Sequence, residues 1–239
     1  MRIEIPPRTG SNAPAFAPRG HTAALVGVLL AVAVTGTLLQ HFDALPPPSG
    51  IRVSGGSARI SGQYFPLFFV NALLASYVSR FFRPRGTLKS LLGRSWRRPA
   101  DAVLDLCYAG FTFALIVAIE VLTRPLFAGR NAAVSTLLPG TVAERLTWVV
   151  VALGVGFCEE VVYRGYLQTQ LTVFTRSAAL GLLLQALLFG LAHLEQGPGA
   201  ALRIGLYGLL LGTLARRRAS LLPGIVCHVG IDLAGGLLA

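Results

Sequence analysis

Residues 146–167 read LTWVVVALGVGFCEEVVYRGYL. The run is apolar and long enough to cross a bilayer as a helix, which takes about 20 residues. Inside it, Glu159, Glu160 and Arg164 fall within six positions. Charged groups at membrane depth are costly and are kept for pairing or for function. On one helix Glu160 and Arg164 are four residues apart, share a face and suit an ion pair. Glu159 points about 100° away from Glu160, which leaves it for another task.

The rest of the chain agrees with a membrane setting. Of its 239 residues 54% are hydrophobic and only 13% charged, and the mean hydropathy is +0.65. There are too many apolar runs for one soluble core. Seven are expected to span, at about 22–39, 64–82, 101–124, 146–168, 177–194, 199–215 and 220–239. They are continuously apolar and not alternating, so the expected fold is an all-α polytopic transmembrane helix bundle and not a barrel.

The net charge of +11 would raise the question of nucleic acid in a soluble protein. Here its placement answers that question, and no nucleic-acid partner is expected. Arg80, Arg83, Arg85, Lys89, Arg94, Arg97 and Arg98 follow the second run, and Arg216, Arg217 and Arg218 precede the seventh. Both sets belong on the cytoplasmic side. Seven spans with a cytoplasmic N-terminus put them there together, in a plasma (inner) membrane. The same arginines suit contact with anionic lipid.

Three regions are expected: a flexible tail over 1–21, an N-terminal transmembrane region over 22–145 with a basic loop at 83–100, and a C-terminal transmembrane core over 146–239. Pro- and Gly-rich loops are read at 41–62 and 128–145. After Leu146 the connections shorten to about 169–176, 195–198 and 216–219, so the last four spans are antiparallel neighbours. The first apolar run is longer than a leader's core and lacks a small-x-small exit, so it reads as a retained anchor. Cys107, Cys158 and Cys227 all fall in spans, which argues for packing and against a disulfide framework.

Three more polar residues lie in that C-terminal bundle. His193 follows Phe189 by four, and Asp232 follows His228 by four, so His228 and Asp232 share a face. Two histidines, three carboxylates and an arginine in one small apolar bundle suit water activation. A carboxylate base, a histidine holding the water and a second hydrogen-bonding pair at the oxyanion would suffice. Glu159, His193 and His228 also match the ligand number of a divalent metal such as zinc with one open position. Residue types and spacing do not choose between these two. There is no His-Glu-x-x-His helix, nucleophile elbow or phosphate-binding loop. His193 falls near the outer end of the fifth span, out of register with Glu159 in mid-span.

Glu159-Glu160-x-x-x-Arg164, Phe189-x-x-x-His193 and His228-x-x-x-Asp232, in that order, resemble the CAAX-protease and bacteriocin-processing family, also called CPBP or Abi, of glutamate-type intramembrane endopeptidases. The resemblance covers roughly the last third of the chain. It implies that Glu159 and His193 activate the attacking water, that His228 and Asp232 line the oxyanion site, and that Glu160 and Arg164 shape the site or meet substrate. The family usually has Asn where this chain has Asp232. An ionised Asp cannot donate a hydrogen bond to an oxyanion, whereas a protonated one can.

The leading expectation is hydrolysis of a membrane-associated peptide or protein, as in bacteriocin maturation, immunity or sorting-tag processing. A non-proteolytic scaffold or immunity protein binding a peptide in the same cavity is the alternative. A proton-coupled transporter is disfavoured, because no repeat is visible and the polar residues sit in only three spans.

Overall fold

The computed structural model describes residues 17–43, 59–80, 91–123, 125 and 137–238. Most of the expected 1–21 tail, residues 44–58 and 128–136 of the two expected loops, and Arg83, Arg85 and Lys89 lie outside the described residues. Seven helices are formed among those described. They are α1 (Arg19–Asp43), α2 (Ile60–Tyr64 continuing into Phe65–Ser79), α3 (Pro99–Thr123), α4 (Val142–Thr175), α5 (Ala178–Leu191), α6 (Pro198–Arg218) and α7 (Leu222–Leu237).

Each expected span corresponds to one helix, but the lengths differ. Four are long and apolar enough to cross a membrane: Arg19–Leu38 of α1, α3, α4 and α6. At 14 and 16 residues, α5 and α7 are shorter. By the usual rise they reach roughly 21 and 24 Å, less than a ~30 Å hydrocarbon layer. Large apolar side chains nevertheless line the outside: Val28, Val32 and Val34 on α1, Phe111 and Leu122 on α3, Leu146 and Val150 on α4, and Leu183 and Leu187 on α5 are all exposed. A belt of this kind is suited to lipid and would be a liability in water.

α4 is the centre of the bundle. In its most apolar window 61% of residues are buried, against 22% in α1 and in α3. α2 and α7 pack on its first half, and α5 runs back along its second. α6 lies on α5 and α3, and α3 closes the ring onto α7. α1 lies across the turn that follows α5. α5 and α6 approach closely because Gly190, Gly205 and Gly208 meet there; a side chain on Gly208 would stand 3.0 Å from the Ala186 Cα.

Two boundaries correct the sequence reading. Residues 169–176 are not a connection: the helix continues to Thr175 and stops where Arg176 turns left-handed (φ 54°). The polar residues there are interior partners of other helices. The Gln168 amide donates to the Gly212 carbonyl (3.0 Å) and the Gln170 amide to the Ala17 carbonyl (2.9 Å). At the other end α4 starts at Val142, inside the expected 128–145 loop. Thr141 and Glu144 form a capping box, and Glu144 also pairs with Arg59 at 2.9 Å. Arg203, a charge within the sixth span, is met by Glu120 of α3 at 3.1 Å, and Tyr207 donates to the same carboxylate oxygen at 2.6 Å.

The two arginine-rich segments expected on one side of the membrane are in contact. Gly93 and Ser220 form an antiparallel bridge. Arg94 N–H donates to the Ala219 carbonyl (2.9 Å), and Leu221 N–H to the Leu92 carbonyl (2.8 Å).

Candidate active site

Midway along α4 the helix widens into π geometry over Glu160–Leu167, and all eight residues are buried. Such turns are uncommon and recur at functional sites. Leu91 and Leu221 press on Gly165, 3.0 and 3.2 Å from where a Cβ would stand. At Gly224 of α7 a Cβ would lie 2.7 Å from Glu160 Oε2. That approach sets the next turn of α7, with His228, against the acidic pair.

Glu160 and Arg164 form the expected pair, with Oε1 to Nη1 at 2.8 Å and both side chains fully enclosed. It is an ion pair and not an aligned hydrogen bond, since Arg164 Nε, Nη1 and Nη2 and Glu160 Oε2 have no hydrogen-bond partner among the described residues. The guanidinium instead lies over the Phe189 ring, 4.2 Å from its centre.

His228 stands between the two glutamates. Its Nδ1 is 3.0 Å from Glu160 Oε1 and its Nε2 is 3.5 Å from Glu159 Oε2. A carboxylate accepts, so Nδ1 donates to Glu160. Glu159 therefore shares His228 with its neighbour and does not stand apart, as helical spacing alone suggested. It has no other polar partner among the described residues. The wider turn and the nearness of α7 produce this arrangement.

His193 lies just beyond the end of α5, between Leu191 and the short turn Leu194–Gln196. The Phe189 carbonyl accepts from its Nδ1 at 2.8 Å. In the neutral ring Nε2 is then a free acceptor. The register problem disappears because α5 is short. Its start meets Thr172, its end meets Tyr163, and His193 comes level with the glutamates and not with the end of a full span.

Phe189 joins the parts. Its ring is edge-on to Tyr163 (4.9 Å), His193 (5.0 Å) and His228 (5.7 Å). The sequence reading quoted Phe189 but gave it no role, because an aromatic in an apolar run looks like packing. Its spacing of four from His193 was the available signal. Asp232 is half-buried one turn after His228, and its Oδ2 lies 3.5 Å from where a Gly156 Cβ would stand. Trp148 Nε1 donates to its backbone carbonyl at 2.9 Å, a tether the sequence did not reveal. Cys158 and Cys227 are buried free thiols in apolar clusters, as expected of packing residues.

The metal option can be tested on this donor set. Among the described residues no three His, Cys, Asp or Glu side chains are placed to hold a metal ion. Glu159, His193 and His228 are not such a group, although the Nδ1 contact of each histidine leaves its Nε2 turned outward as a metal ligand's would be. No step is derived through a metal.

Residues 141–234, which are α4 to most of α7, match the family model of Rce1-like proteins, described as Type II CAAX prenyl endopeptidase. This is the CAAX-protease family that the three motifs resemble, and it is a family of peptidases. No curated protein and no solved structure gives a significant match to the chain.

Proposed function

We propose that this chain is an intramembrane endopeptidase whose catalytic core is residues 146–239, and that it hydrolyses a peptide bond in a membrane-associated substrate. The observation that carries this reading is the division between the two glutamates. Arg164 and His228 hold Glu160, while among the described residues Glu159 meets only His228 and keeps a small exposed area (11%) at which a water molecule would bind.

In the proposed reaction Glu159 takes a proton from water as the water oxygen bonds to the substrate carbonyl carbon. His193 orients that water through its free Nε2. Negative charge on the carbonyl oxygen is met by His228 Nε2–H and by a protonated Asp232. The proton passes to the substrate nitrogen as the carbon–nitrogen bond breaks. Arg164, fully enclosed, shapes the site by holding Glu160 and stacking on Phe189. The test is cleavage of a reporter peptide with an apolar C-terminal segment by the full chain in lipid vesicles. Binding without any product would favour the scaffold reading.

Asp232→Asn is expected to keep cleavage near wild type and to extend it to higher pH, since Asn donates at every pH. Asp232→Ala is expected to lose roughly 10²–10³ in rate, the cost of one oxyanion donor. Rates of both variants across pH check this; an inactive Asp232→Asn would assign Asp232 a negative charge instead.

Sidedness is part of the same proposal. The arginine-rich face formed by residues 91–98 and 216–221 is assigned to the cytoplasm of a plasma (inner) membrane, with the N-terminus on that side. Cysteines placed at Arg94 and Ser49 are expected to react with impermeant reagents from opposite sides of sealed vesicles. Reaction of both from one side would overturn the seven-span arrangement.

A further inference from the structure

The stretch Leu91–Arg98 is a strap laid over the α6–α7 turn, and an unusual number of contacts hold it. Besides the bridge at Gly93 and Ser220, Ser220 Oγ donates to the Arg94 carbonyl at 2.8 Å. The Trp96 indole donates to Asp105 Oδ2 at 2.8 Å. Arg218 pairs with the other oxygen of Asp105 at 2.6 Å and lies over the Tyr108 ring. Leu91 anchors the strap in the core against Gly165, next to Arg164.

The strap's own charges are left uncompensated. A cleft of about 400 Å³ is lined by Arg94, Ser95, Arg97, Arg98 and Asp101. Both nearby carboxylates are occupied. Asp105 holds Arg218 and Trp96, and Asp101 Oδ2 accepts the backbone N–H groups of Arg97 (3.3 Å) and Arg98 (3.2 Å). Among the described residues none of Arg94, Arg97 and Arg98 has a carboxylate partner within ion-pair distance.

We propose that this cleft binds the phosphodiester headgroup of an anionic phospholipid. Guanidinium groups in a fixed frame favour phosphate oxygens, which accept paired N–H donors. The cleft lies where α3 begins and α6 ends, at the boundary of the apolar belt. Trp96 is 43% exposed there with its N–H satisfied, the usual state of an interfacial tryptophan. Lipid phosphate is concentrated at that level, so a lipid is favoured over a free anion.

The test uses the full chain in neutral detergent, with phosphatidylglycerol titrated in and bound lipid counted by native mass spectrometry. Wild type is expected to hold one phosphatidylglycerol at concentrations where phosphatidylcholine does not bind. Arg97→Gln/Arg98→Gln is expected to weaken that binding roughly 30-fold. Arg19→Gln/Arg176→Gln, which removes equal charge from the start of α1 and the end of α4, is expected to leave it unchanged. Unaltered thermal stability of both variants would show that the strap is in place. Equal loss in both variants would reduce the cleft to general surface charge and overturn the proposal. Displacement of the lipid by millimolar inorganic phosphate would identify the ligand as a free anion, and equal binding of phosphatidylcholine would remove charge recognition; either result also overturns it. None of these outcomes depends on peptide cleavage.

Discussion

Glu159→Gln is expected to lower the rate of peptide cleavage by about 10²–10⁴ while leaving the folded protein intact, because a water nucleophile has lost its base. Gln keeps the size of Glu, and its amide oxygen can still face His228 Nε2, the only polar partner of Glu159 among the described residues. The Glu159–His228 pair loses its charge but keeps a facing acceptor, and Glu160 still holds His228, so stability is expected to change little. His193→Ala is expected to act on rate to a similar degree, since its Nε2 is the other acceptor for the water and its Nδ1 serves only the Phe189 carbonyl. Cleavage of the reporter peptide in vesicles, measured beside thermal unfolding in detergent, separates the two effects. Normal turnover by Glu159→Gln would end the protease mechanism proposed here.

The second large effect concerns the enclosed pair. Arg164→Ala is expected to destabilise the protein by about 3–5 kcal/mol, the cost measured in soluble proteins when one partner of a buried pair is removed. Glu160 would be left fully enclosed with only His228 beside it. The Phe189 ring would lose the guanidinium stacked at 4.2 Å, and with it part of the framework for both histidines. Arg164→Lys restores the charge without the planar stack, so it is expected to recover stability more than activity. The double variant Glu160→Gln/Arg164→Met is expected to be more stable than Arg164→Ala, because no charge remains buried without a counter-charge. It is also expected to stay impaired, because His228 has lost an ionised acceptor. Chemical unfolding of the three variants decides the matter; an Arg164→Ala protein as stable as wild type would mean that the pair contributes nothing to the fold.

Much of the architecture was legible because in lipid the backbone must satisfy itself, so apolar runs of sufficient length become helices. The runs around 146–168 and 199–215 correspond to α4 and α6, with ends displaced by a few residues up to two turns. Those displacements share one cause. Thr141 and Gln170 are polar and read as loop, yet the side chain of one caps α4 and that of the other bridges it to α1. A sequence shows that such a residue is polar but not where its hydrogen bond goes.

By itself, the sequence determined the helical membrane class, the shared side of the two arginine-rich segments, the Glu160–Arg164 pair and the placing of His193 and His228 in one bundle. Each follows from composition or from spacing within a single helix, where geometry is periodic and local. The tertiary structure alone decided that α5 is short enough to bring His193 level with the glutamates. It alone placed His228 between both carboxylates and made Phe189 the hub of the site. Those facts depend on how closely helices approach, at Gly224 against Glu160 and at Gly190 and Gly208 between α5 and α6. Interhelical approach is set by packing between residues remote in sequence, and no periodicity within one segment encodes it.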